Sequence, residues 1–235
     1  MKKSLGIICL LVGFTLTASP STIEIDMSET IVILDAGHGD VNPETGEYVT
    51  EGKRSPEWED GTQYFEGVGN REIVKEATKQ LEASGIKVLH TVDPDGYEDV
   101  ALSKRVEIAN KHYLKHNRKP FLISVHSNGF SKESANGTEV YTSLGTTKSD
   151  KIATIWMEQF TKLFPDIKKR TDESDGDVDK EAKFTIITDT LCPAILIETM
   201  FHTNREECKI LMDSEKRKYI AMAIKNTAIR VESLT

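Results

Sequence analysis

Ile31-Val32-Ile33-Leu34-Asp35-Ala36-Gly37-His38-Gly39 joins a short β-branched apolar run to a polar turn between glycines. Two later stretches repeat the layout. Phe121-Leu122-Ile123-Ser124-Val125 runs into His126-Ser127-Asn128-Gly129, and Ala194-Ile195-Leu196-Ile197 runs into Glu198. A nearly continuous apolar run such as Phe121–Val125 fits a strand buried on both faces, the habit of parallel sheets. Between these runs the period changes. Ile73, Val74, Ala77 and Leu81 recur at helical spacing, with Asn70 as a plausible N-cap and Ser84-Gly85 as a stop. Ile86–Leu89 and Thr138–Thr142 read as further strands. Helices are expected over 101–116, with Leu102, Val106, Ala109 and Tyr113 on one side, and over 149–164. Phe184–Thr188 reads as a late strand, followed by two closing helices near Arg205 and over 215–231. This alternation specifies an α/β fold with a largely parallel sheet covered on both sides.

Composition agrees with a soluble globular domain. Of 235 residues, 38% are hydrophobic and 29% charged, so the chain can bury a sizeable core. The net charge of −8 argues against a nucleic-acid binder, which would present a basic face. Three cysteines are too few for a disulfide scaffold, and Cys192 and Cys208 are open to pairing or to remaining thiols. Residues 1–21 have the layout of a secretory signal peptide: Lys2-Lys3, an apolar run from Leu5 to Leu16, then small and polar residues. An uncleaved anchor is the other reading, since no clean A-x-A site is present. Cleavage would take the net charge from −8 to −10 by removing Lys2 and Lys3. Residues 22–235 would then form a folded domain outside the cytoplasm, expected as a monomer without membrane insertion.

Active sites of parallel sheets lie beyond the carboxyl ends of the strands. That places His38, His126 and Glu198 on one edge, with Glu66 just ahead of the helix expected from Asn70. Two histidines and one carboxylate suit a catalytic zinc, which uses three protein ligands and keeps one position open. His38, Glu66 and His126 would be the ligands, and Glu198 the general base. Gly37 and Gly39 leave room beside the metal. For either histidine taken alone, a hydrogen-bonded loop residue is the better reading; the argument rests on their joint position. Asp35 and Asn128 are candidates to orient a ligand or the substrate, Asn128 equally a turn residue. Arg105 reads as a structural ion-pair partner. His90, His112, His116 and His202 read as bystanders.

These residues resemble the zinc-dependent N-acetylmuramoyl-L-alanine amidases of the third, peptidoglycan-cleaving family. The similarity covers about residues 30–231. Ile33–Gly39 resembles the first ligand loop, and Glu66-Gly67-Val68-Gly69-Asn70 the ligand glutamate four residues before a helix-opening asparagine. Leu102–Asn110 is similar to an L-x-x-R-x-x-x-A-N helix, and Ser124–Asn128 to the S-[IV]-H-[AS]-N ligand strand. Gly137–Tyr141 resembles G-x-E-V-Y. Pro193–Glu198 resembles the strand carrying the catalytic glutamate, and Phe201–Asn204 its continuation. The resemblance implies a three-layer αβα domain with a twisted, mainly parallel six-stranded sheet. It implies Zn2+ as cofactor, peptidoglycan as partner, and hydrolysis of the amide between N-acetylmuramic acid and L-alanine in the periplasm or outside the cell. Two rivals stand beside it: a zinc peptidase acting on the stem peptide, and a non-catalytic wall-binding protein of the same fold.

The chain departs from the family pattern in places. Ala36 replaces the usual proline, and the segment around His90–Asp93 is altered. The gap between His38 and Glu66 is long and holds Trp58, Tyr64 and Phe65, which reads as an insertion over the cleft or as surface packing. The family's arginine-glycine turn is not clear in the acidic 166–183 stretch, which reads as functional or as a solvated loop. No autoinhibitory insert or wall-binding repeat is seen.

Overall fold

The computed structural model describes residues 30–117 and 119–233. The expected leader, 1–21, lies outside them. Six strands form one sheet: β1 (Ile31–Ala36), β2 (Lys87–His90), β3 (Phe121–Asn128), β4 (Glu139–Thr142), β5 (Lys180–Glu181) and β6 (Ala194–Phe201). Their order is β2-β1-β3-β6-β4-β5. β1, β2, β3 and β6 run parallel, while β4 pairs antiparallel with β6 and parallel with β5. The sheet is therefore mixed and mostly parallel.

Strand alternation divides the apolar side chains between two cores. Val32, Leu34 and Ala36 of β1, Ile123 and Val125 of β3, and Ile195 and Ile197 of β6 face one way. They pack on α1 (Glu66–Glu82), α3 (Lys148–Leu163), α5 (Arg205–Met212) and α6 (Ser214–Glu232). Ile33, Leu122, Ala194 and Leu196 face the other way, onto α2 (Leu102–Lys115) and the short α4 (Thr185–Thr188). Helices on both faces of the sheet complete the αβα arrangement. Among the described residues, no helix is long and apolar enough to cross a membrane.

Four expectations change. Phe184–Thr188 is not a strand: Thr185–Thr188 is one turn of helix, closed by Thr188 N–H and Asp189 N–H donating to Phe184 and Thr185 carbonyls. Its β-branched residues favour a strand, but Ile186 and Ile187 are adjacent and both buried in the second core. Tertiary packing outweighs propensity here. The sixth strand is instead the two-residue β5. The helix expected from Asn70 starts at Glu66, so Glu66 is its first residue. β3 and β6 extend through His126, Asn128 and Glu198, so these residues lie in strands instead of after them. Leu102 is 52% exposed and stands outside the core. Cys192 and Cys208 are both buried free thiols in separate cores.

Candidate active site

The loop that carries His38 is set by glycine and by two buried arginines. Gly37 N–H donates to the Val125 carbonyl, locking the loop to β3. A Cβ on Gly37 would stand 2.2 Å from the His126 ring, so only glycine lets the two segments meet. His38 follows in the left-handed region, at φ 66°. That strained backbone is held by its carbonyl, which accepts from Arg71 Nη1 at 2.6 Å and Arg105 Nη2 at 3.1 Å. Arg105 also donates to the Ala36 carbonyl and pairs with Asp35 at 3.0 Å. Arg105 is thus the structural ion-pair partner that its helix position implied.

Glu66 enters from the first turn of α1. Two neighbouring glycines make that possible at a cost in helix propensity; a Cβ on Gly67 would meet the Gly39 carbonyl at 1.7 Å. Asn70, one turn on, donates to the Gly37 carbonyl at 3.2 Å and ties α1 to the same loop.

These elements bring three potential donor atoms together. Glu66 Oε1 lies 3.3 Å from His38 Nε2 and 3.1 Å from His126 Nδ1. One donor atom from each of the three residues falls within 4.8 Å of the others, a set that can hold a metal ion. Burial opposes ionisation of Glu66, yet hydrogen bonds and charge from His126 and His38 hold its carboxyl well below the usual range. Burial likewise favours neutral His126, and Glu66 outweighs it, pushing that pKa up. A carboxylate between two imidazoles is an arrangement ready for a cation.

Glu198 stands in β6 directly opposite His126 in register. Its Oε2 is buried with no hydrogen-bond donor among the described residues. Burial, with Glu66 and Glu139 nearby, pushes its carboxyl up to about 8, against the opposing pull of His126. A cleft of about 440 Å³ opens over this group, lined by Glu66, His126, Asn128, Glu198, His202 and Lys53 among others.

The remaining candidates fall elsewhere. Asp35 is buried beneath the loop, its carboxylate accepting from Ser124 Oγ at 2.6 Å, from Thr91 and from Arg105. Those bonds, with Arg105 beside it, outweigh burial and hold its pKa down. It supports the His38 loop, and its hydrogen bonds go to Thr91, Arg105 and Ser124, with none to the His38 or His126 ring among the described residues. Asn128 lines the cleft, and its amide donates to Glu139 Oε2 at 2.8 Å.

Two residues at the site do not stand out in the sequence, one behind the cleft wall and one on it. Glu139, buried on β4 opposite Glu198, accepts from Arg170 Nε at 2.5 Å and Lys180 Nζ at 2.7 Å. Arg170 and Lys180 come from the acidic 166–183 loop, where net negative charge hides them. The Glu of G-x-E-V-Y is the available signal. His202 lines the cleft too, buried, with Nδ1 3.1 Å from the Ser127 carbonyl. Burial lowers its pKa, which favours the neutral ring.

The insertion between His38 and Glu66 has a different role for its aromatics than expected over a cleft. Tyr64 is buried in the first core and Trp58 packs against it, donating to Cys208 Sγ at 3.3 Å. Phe65 packs on Tyr48, with ring centroids 4.8 Å apart. The insertion's cleft-lining residues are Glu51, Gly52, Lys53 and Arg54.

The family model described as N-acetylmuramoyl-L-alanine amidase matches residues 32–230. The chain belongs to that amidase family. It is therefore a peptidoglycan amidase, hydrolysing the bond between N-acetylmuramic acid and L-alanine. No curated protein matches the chain significantly. Its fold is similar to several solved amidases. AmiC2 of Nostoc punctiforme is 24% identical with a TM-score of 0.67, over 86% of this chain and 97% of that one. An N-acetylmuramoyl-L-alanine amidase from Clostridium difficile 630 is 21% identical with a TM-score of 0.69, over 86% and 96%. Ami1 from Mycobacterium smegmatis is 18% identical with a TM-score of 0.70, over 89% and 99%. At these identities the likeness speaks for the αβα fold. Family membership implies action on the cell wall, outside the cytoplasm.

Proposed function

We propose that this amidase is zinc-dependent, with His38, Glu66 and His126 as the metal ligands and Glu198 as the general base. The observation that carries the reading is the convergence of those three donor atoms within 4.8 Å, beside a buried carboxylate that has one unpartnered oxygen. Two imidazole nitrogens and one carboxylate match the three-ligand sets of catalytic zinc sites. When bound, zinc supplies Lewis acidity for water activation and for the scissile carbonyl.

The protein's own groups do the rest. Glu198 takes a proton from the attacking water and delivers it to the departing alanine nitrogen. A carboxyl raised to about 8 by burial is a stronger base than an exposed one, and a nearby cation would draw it back toward ionisation. His202 and Asn128 stand on the cleft wall, where a polar substrate needs partners. Residues 1–21 serve as an export signal in this reading, and the mature domain works as a monomer in the periplasm or outside the cell.

Mass analysis of muropeptides after digestion tests the assignment. The expected products are free stem peptides and unsubstituted glycan strands. Glu198→Gln should keep the metal and the fold while turnover falls about 10²–10⁴-fold. Shortened peptides still joined to muramic acid would instead mark a stem-peptide peptidase. Near-normal activity of the variant would remove Glu198 from the mechanism.

A further inference from the structure

A second acidic cluster lies away from the ligand triad and plays no part in it. Asp150, in the first turn of α3, and Asp177 and Asp179, in the 166–183 loop, each offer a carboxylate oxygen within 4.8 Å of the other two. Asp150 is accounted for by helix capping. Its two oxygens accept from Thr147 N at 2.6 Å and Thr147 Oγ1 at 2.7 Å, closing a capping box. Asp179 is different. It is only 2% exposed. Its Oδ2 accepts from Thr142 Oγ1 at 2.6 Å, but its Oδ1 is buried with no donor among the described residues. Asp177 Oδ1 is buried and unpartnered in the same way.

Three carboxylates so close repel one another, and a buried acceptor without a donor costs free energy comparable to a lost hydrogen bond. Burial first, and then the nearby Asp177 and Asp150, push the Asp179 carboxyl up to about 7 against the Thr142 bond. What would relieve both costs is a cation. The donors are all oxygens, with no imidazole or thiolate, which selects a hard divalent ion over zinc.

We propose that Asp150, Asp177 and Asp179 bind a Ca2+ ion that fastens the 166–183 loop to the start of α3. The inference is independent of the zinc assignment. Ca2+ suits the cluster better than Mg2+, because it accepts irregular sets of six to eight oxygens, with water completing the shell. The consequence reaches the cleft. Lys180 follows Asp179 directly, forms β5 against β4, and donates to Glu139 opposite Glu198. Fixing Asp179 therefore helps hold Lys180 on Glu139, the residue paired with Glu198 across the sheet.

The test uses the intact metal-loaded protein in chelator-resin-treated buffer, titrated with CaCl2 up to about 10 mM. A tenfold excess over the dissociation constant should raise Tm by about 3–5 °C. The same addition should slow tryptic cleavage after Arg170, Lys180 and Lys183. Asp177→Asn should keep the fold and the zinc content and lose both responses. Asp179→Asn provides the second variant, and loss of both responses in it is likewise expected. Absence of any Ca2+ response in the wild type would overturn the proposal. So would a response retained in both variants. A wild type that gains stability on mild acidification but not on Ca2+ addition would overturn it too, and would mean that Asp177 and Asp179 share a proton instead.

Discussion

Gly37 shows how tightly one residue can control the proposed metal centre. Its missing side chain is what allows the His126 ring to sit beside the first ligand loop, with only 2.2 Å available for a Cβ. The fold does not need this glycine for its φ, since it lies outside the left-handed region occupied by its neighbour His38. Gly37→Ala should therefore leave the secondary structure intact and displace His126 from Glu66. The expected outcome is a folded protein by circular dichroism, with zinc content by elemental analysis and amidase activity both strongly reduced. Wild-type zinc content in that variant would show that the loop can yield. The three proposed ligands and Glu198 are legible in the sequence because of where they sit. His38, His126 and Glu198 follow apolar runs, and Glu66 precedes a periodic helix. Glu139 and His202 are less legible, since their place at the site comes from strand pairing across β4, β6 and β3. The Glu of G-x-E-V-Y marks Glu139 as a residue of interest, but no local pattern says which groups it or His202 meets.

At the scale of elements, the insertion of residues 40–65 divides its labour. Trp58 and Tyr64 anchor it on the core, while the turn around Glu51–Arg54 reaches the cleft. Arg54 bridges to Phe65, and Glu66 N–H donates to the Lys53 carbonyl at 2.9 Å, so the turn is tied to the start of α1. The exposed Lys53 ammonium faces the same cleft as Glu198, and its charge draws the Glu198 pKa down. A cation at the mouth that contacts substrate contributes mainly uniform binding. Lys53→Ala should raise KM by about three- to tenfold, or about 0.7–1.4 kcal/mol, and leave kcat nearly unchanged. An unchanged KM with a shifted pH profile of kcat would mean that Lys53 acts on Glu198 instead. Long apolar strands and periodic helices are readable from sequence. The two-residue β5 is not, because it has no periodicity to read and exists only through pairing with β4. The α4 turn passes for a strand for a related reason: four residues are too few to separate a helical from a strand period.

The whole molecule hangs its site on a buried ion pair at the carboxyl end of an interior strand. Asp35 and Arg105 are nearly fully buried, and together they join β1, β3, α2 and the His38 loop. The αβα layering is foreseeable from alternating periods, but this network is only half visible, since Thr91 and Ser124 meet Asp35 through the parallel register of three strands. Its energetic weight predicts an acid limb of stability. The folded pKa of Asp35 is depressed below the ordinary value of 3.8, and that of Glu139 below 4.5. A depressed carboxyl contributes stability that is complete above the unfolded pKa and is lost as pH falls through the folded one. The contribution of these two groups to Tm should thus hold from neutrality to about pH 5 and drop steeply below about pH 4. Asp35→Asn tests the origin of that drop. It leaves Arg105 buried without its carboxylate, a loss of about 3–5 kcal/mol at neutral pH. As wild-type Asp35 protonates, the two proteins become alike at this site, so the gap between their melting temperatures should narrow below about pH 4. A gap that stays constant down to the lowest measurable pH would mean that Asp35 stabilises by shape and hydrogen bonding, with no contribution from its charge.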